Sequence, residues 1–118
     1  MDNYNEISWV DPWHPVTGAS SFMLTLELRF EMCRKHPLSK KKVKAIARCG
    51  VCDDVLYAVE DDLKPFAVVH LTWTGQRETN TEFPWIVFYS SIDEWVEKCM
   101  KVDHKDTSIA SASVGHPT

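Results

Sequence analysis

A few residues in this chain have the types and spacing that chemistry needs. His70 stands between Val69 and Leu71 in an apolar run, Thr72 shares its alternate-residue face, and Glu78 follows in a polar stretch. A histidine facing a pocket can act as a general base. Thr72 and Trp73 would add a hydroxyl and an indole for a ligand, and a half-buried histidine with one hydrogen bond is the plainer reading. Asp103-His104 sets a carboxylate beside an imidazole, although a histidine at the end of a helix is also accounted for by the exposed carbonyls there. His70, His104 and Glu78 are thus the catalytic candidates, with Thr72 and Trp73 as ligand-binding candidates.

Cys49-Gly50-Val51-Cys52 is a C-x-x-C. A redox pair of this kind opens a helix whose N-terminus lowers the thiol pKa, but here it joins two expected strands. A zinc site needs a second ligand pair of similar spacing, and only Cys33, His36, Cys99 and His104 could supply one from elsewhere in space. The expectation is ordinary turn cysteines, no metal and no cofactor. Asp53-Asp54 and Glu60-Asp61-Asp62 lack calcium-loop spacing and read as solvated turns. Arg34, Lys35, Lys40, Lys41, Lys42, Lys44 and Arg48 cluster with no acid among them. Without interleaved aromatics they read as a solvated rim that balances the acidic turns, not a nucleic-acid surface.

The elements that would position these residues are bounded by size. A chain of 118 residues, 44% hydrophobic and 25% charged, makes one domain. Its net charge of -4 argues against coating nucleic acid or an anionic membrane. The first residues are polar and acidic with no apolar run of signal length, and the longest apolar stretches fall far short of a membrane span. A cytoplasmic protein with reduced thiols is expected.

Residues 1–19 hold Trp9 and Trp13 among Pro12, Pro15 and Gly18, and read as an irregular arm lying on the body or on a partner. Residues 20–33 alternate like a strand yet are built of helix formers. Ser20 or Ser21 as a cap and His36-Pro37 as a stop favour a helix. Strands are expected over 43–49, 54–59, 66–73 and 85–89. Ser91-Ile92-Asp93-Glu94 is a capping box, and Ile92, Trp95, Val96, Cys99 and Met100 form one apolar stripe of a last helix. From 107 to 118 the chain is patternless and reads as a disordered tail. The order α-β-β-β-β-α over 20–106 predicts an α+β fold, a four-stranded antiparallel meander with both helices on one face. The bare face would carry Phe66, Val68 and Trp85 and, with Trp9 and Trp13, form an interface.

The stretches Ala45-Ile46-Ala47-Arg48, Cys52-Asp53-Asp54-Val55-Leu56, Val68 to Gly75 with Glu78, and Met100 with Asp103-His104 resemble a family of small bacterial α+β proteins of unknown function. The likeness covers roughly residues 24–106 and suits a product of a mobile gene cassette. It implies no activity. The function expected from the residues is therefore a non-catalytic binding or assembly protein, a homodimer through the open sheet face. The alternatives are a ligand binder or enzyme using His70, Thr72, Glu78 and His104, and an immunity-type protein that docks a partner through its charged surface.

Overall fold

The structure, a computed structural model, describes residues 7–32, 36–60, 62–73 and 85–112, with side chains to residue 106. Glu78, Cys33, Arg34 and Lys35 lie outside the described residues. Five antiparallel strands follow one another in the sheet: β1 (Trp13–Pro15), β2 (Val43–Cys49), β3 (Asp54–Val59), β4 (Phe66–His70) and β5 (Trp85–Tyr89). Helix α1 (Gly18–Glu31) joins β1 to β2. The C-terminal helix starts as Ile92–Trp95, passes through a π-wound turn at Val96–Met100 and continues as Lys101–Ala112. Among the described residues no helix is long and apolar enough to cross a membrane.

The antiparallel meander stands, with two corrections. The sheet has a fifth strand, β1, inside the arm expected to be irregular; Trp13 pairs with Cys49 and Pro15 with Ala47. Proline cannot donate to a ladder, but a short edge strand tolerates it because one side needs no partner. The second correction concerns the faces. The two helices lie on opposite sides of the sheet, not on one. Leu24 and Leu28 of α1, with Met32 just past its end, pack with Val55, Tyr57, Val59, Ala67 and Val69. Ile92, Trp95 and Met100 of the C-terminal helix pack with Trp13, Ile46, Leu56, Phe66 and Val68. The reason is visible in β4, where Phe66 and Val68 point one way and Ala67 and Val69 the other. All four are buried, so each face needs its own cover.

Local chemistry fixes how the layers meet. In β2 the pairing slips between Ala45 and Ala47, so Ile46 and Ala47 both serve the second face. Strand β1 reaches only Ala47, and side chains of α1 serve the backbone beyond it. Ser21 Oγ donates to the Ala45 carbonyl (2.6 Å) and Thr25 Oγ1 accepts from the Ala45 N–H (3.1 Å). Thr17, not Ser20 or Ser21, stands at the N-cap of α1, and Gly18 takes a positive φ of 56°. The other expected cap holds: Ser91 Oγ accepts from the Glu94 N–H at 3.0 Å. Glu94 also accepts from the Ser90 N–H (2.7 Å) and from Lys98 (3.0 Å), and these bonds push its carboxyl down to about 2. The helix continues to Ala112, through half of the stretch read as a tail.

The tryptophan arm belongs to the core. Trp13 is 1% exposed, its ring meets Trp95 edge-on at 5.1 Å, and Trp9 approaches Trp95 at 5.9 Å. Trp13 Nε1–H donates to Asp103 Oδ2 at 2.7 Å. Trp13 and Phe66, expected at an interface between chains, are buried inside this one, and Trp9 is half-buried against it.

Candidate functional site

What the second-face cover leaves bare is one end of the sheet. The C-terminal helix sits over Leu56, Phe66 and Ile46. Beyond it, the pleat brings Val68, His70, Trp85 and Val87 to the same face through the pairs Val68–Val87 and His70–Trp85. Trp85 is 65% and Val87 55% exposed, while Val68 beneath them is buried. With Asp54, Ile86 and Pro37 they line a half-open groove of about 760 Å³, a volume in the range of ligand sites. Strand β5 is also a sheet edge. It stands last in the strand order, and its sequence Trp-Ile-Val-Phe-Tyr carries no charge or proline.

The polar feature of the groove is His70. Its Nδ1 lies 2.7 Å from Asp54 Oδ1 across the β3–β4 pair, with His70 exposed and Asp54 half-buried. Asp54 orients the ring and leaves Nε2 as the nitrogen that can meet a ligand. The other expected partners of His70 are elsewhere. Thr72 and Trp73 are bound to Glu31. His104 donates through Nδ1 to the Asp11 carbonyl at 2.7 Å, beside the arm, and does not line the groove. Its neighbour Asp103 accepts from Trp13 and from Cys99 Sγ, so the two side chains bond different partners. Of the interface candidates, only Val68 and Trp85 line the groove.

A second polar cluster was not foreseen. Glu27 and Glu31, one turn apart on α1, share a hydrogen bond. Glu31 is fully buried. Its Oε1 accepts from the Thr72 N–H (2.7 Å) and hydroxyl (3.0 Å), and its Oε2 from the Trp73 N–H (2.9 Å). Glu27 Oε2 is buried and meets no fixed donor, so a proton held between the two carboxyls is what satisfies it. Trp73 is held at φ 55°, a region bulky side chains avoid. The sequence signal was there: two glutamates at i and i+4 repel unless a proton or cation intervenes, and the other charge on this helix, Arg29, is spent on the carbonyls of Leu38, Ser39 and Lys41.

Electrostatics divides the labour within the pair. The hydrogen bond to Glu31 and then burial push Glu27 up to about 7. Burial works against charge on Glu31, but the bonds from Glu27, Thr72 and Trp73 outweigh it and hold Glu31 below the ordinary value. Tyr57, under α1, donates its hydroxyl to the Leu24 carbonyl (2.7 Å), and burial with the nearby glutamates raises its pKa.

A pH dependence follows. Between 4.5 and about 7 the folded chain keeps a proton on Glu27 that the unfolded chain has released, so stability falls as pH rises through that window. Below it, protonation of Glu31 removes stability as pH drops. The fall toward neutral pH is expected to be on the order of 1–2 kcal/mol, less than the full shift because Glu27 is partly solvated. Urea midpoints measured across pH should decline over this range and flatten in Glu27→Gln; a wild-type profile that rises there would refute the shared proton.

Two of the thiols, Cys52 and Cys99, are held in the protonated form. Cys49 and Cys52 are in hydrogen-bond contact, and burial together with that contact pushes Cys52 up to about 12; burial beside Asp103 does the same to Cys99. Among the described residues no group of three or more His, Cys, Asp or Glu could hold a metal ion. Set against known proteins, the chain matches no family model, no curated protein and no solved structure, so the geometry alone carries the functional argument.

Proposed function

We propose that this chain is a small binding and assembly protein that takes an extended apolar segment of a protein partner along β5 and the groove beside it. The observation that carries the reading is an exposed apolar pair, Trp85 and Val87, over the groove on β5, the last strand in the sheet order. A segment added alongside β5 would lay its alternate side chains over Trp85 and Val87 and into the groove. The titratable candidates point the same way. Glu31 and His104 are occupied in holding the fold, and only His70 with Asp54 faces the groove.

The test uses immobilised full-length chain and extract of the cells that make it. Wild type should retain a partner, and a Trp85→Ala/Val87→Asp variant should lose it by about tenfold or more with unchanged circular dichroism. Equal retention by both would remove the groove from consideration. A second reading rests on the His70–Asp54 pair: a small molecule with an apolar body and one polar end. His70→Phe separates the two, since it would spare strand addition and weaken such a ligand.

A further inference from the structure

Among the described residues, four exposed apolar side chains lie together on the other side of the molecule. Helix α1 turns Leu24, Leu28, Glu31 and Ser21 to the body. On the opposite side it presents Phe22 (62% exposed), Met23 (61%), Leu26 (46%) and Phe30 (47%) to water, with Ala19 in line. An amphipathic surface helix keeps charges on that side. Here the charges of α1 are engaged with its own chain. Glu31 is buried and accepts from Thr72 and Trp73, Glu27 has a buried carboxylate oxygen on the same side, and the Arg29 guanidinium donates to the carbonyls of Leu38, Ser39 and Lys41. No charged group stands on the outward stripe.

The spacing of the stripe names the shape that fits it. Ala19, Met23, Leu26 and Phe30 are separated by four, three and four residues, the heptad seam of a helix that packs on another helix. We infer that α1 is a homodimer seam, on which α1 of a second copy of this chain packs antiparallel. A two-fold axis between Met23 and Leu26 sets Met23 against Leu26 and Phe30 against Ala19 of the other copy, large side chain on small, so the stripe complements itself. The antiparallel sense also opposes the helix dipoles. The area suits such a dimer. Four half-exposed side chains offer about 400 Å² per copy, and flanking residues bring the total toward the ~1,200 Å² at which specific interfaces begin. This inference is independent of the groove, which lies on the opposite sheet face.

Light scattering and sedimentation of the full chain across the micromolar range test it. A mass of twice the 13.6 kDa chain is expected. Met23→Lys/Leu26→Lys, which sets like charges against each other across the two-fold axis, should weaken association by at least ~100-fold with circular dichroism unchanged. Should that variant misfold, Phe22→Ser/Phe30→Ser provides a milder break, and Trp85→Ala/Val87→Asp should leave the dimer intact. An unmodified chain that stays monomeric, or a dimer dissolved by the groove variant and not by the helix variants, overturns the seam. Its direction is read from mixed chains carrying Met23→Cys and Leu26→Cys. Oxidation should join unlike chains through these positions, and a preference for like pairs overturns the antiparallel register.

Discussion

Trp13→Ala is expected to lower stability by about 4 kcal/mol, the cost of emptying a tryptophan site inside a close-packed core. The residue stands in a segment whose prolines read as irregular, yet it is 1% exposed and forms the wall against which Trp95 packs. Its removal takes away the edge-on contact with Trp95, the burial it shares with Ile46 and Cys49, and the donor to Asp103 Oδ2. Trp13→Phe keeps part of the ring contact but not the donor, and should lose about half as much. Urea unfolding followed by circular dichroism measures both. Trp85→Ala is the control. Its indole is 65% exposed on the bare end of the sheet, so the change should stay within about 0.5 kcal/mol. A Trp13→Ala loss under 1 kcal/mol would mean that the arm is an attachment and not a structural strand.

That contrast between two tryptophans shows where the sequence could be read and where it could not. Strands β2, β3 and β5 fall where apolar runs between turn residues place them, because local pattern and burial agree there. Strand β4 stops at His70, three residues short of its expected end. The backbone N–H groups of Thr72 and Trp73 turn to a glutamate forty residues earlier, a partner no local pattern announces. β1 was hidden because prolines veto central strands but not edges. The side taken by each helix was hidden too, since periodicity shows that a face is apolar and not which sheet surface meets it. Asp54, read as part of a solvated turn, becomes the partner of His70 only once β3 and β4 fold back about the turn at Asp62. The outward stripe of α1 was hidden as well, because apolar residues all round a helix do not show which of them the sheet will cover.

Glu31→Ala should be as damaging as the loss of a core tryptophan, about 4 kcal/mol, although it removes a charge from the interior. The reason is the number of groups left behind. The N–H groups of Thr72 and Trp73 and the Thr72 hydroxyl all end on this carboxylate, and each would be stranded beside a cavity. Trp73 would also lose the acceptor that helps to hold its backbone at φ 55°. Glu31→Gln tests charge apart from shape. It keeps one acceptor oxygen but turns an amide toward donors, so it should lose roughly half as much. Glu27→Gln should be close to neutral at low pH and stabilising at neutral pH, because its amide donates to Glu31 without needing a proton. Urea midpoints for the three variants, taken at low and neutral pH, give the ranking. If Glu27→Gln and Glu31→Gln prove equally harmful at both, the two carboxyls are not divided into one proton holder and one anion, and the clamp on the end of β4 has another origin.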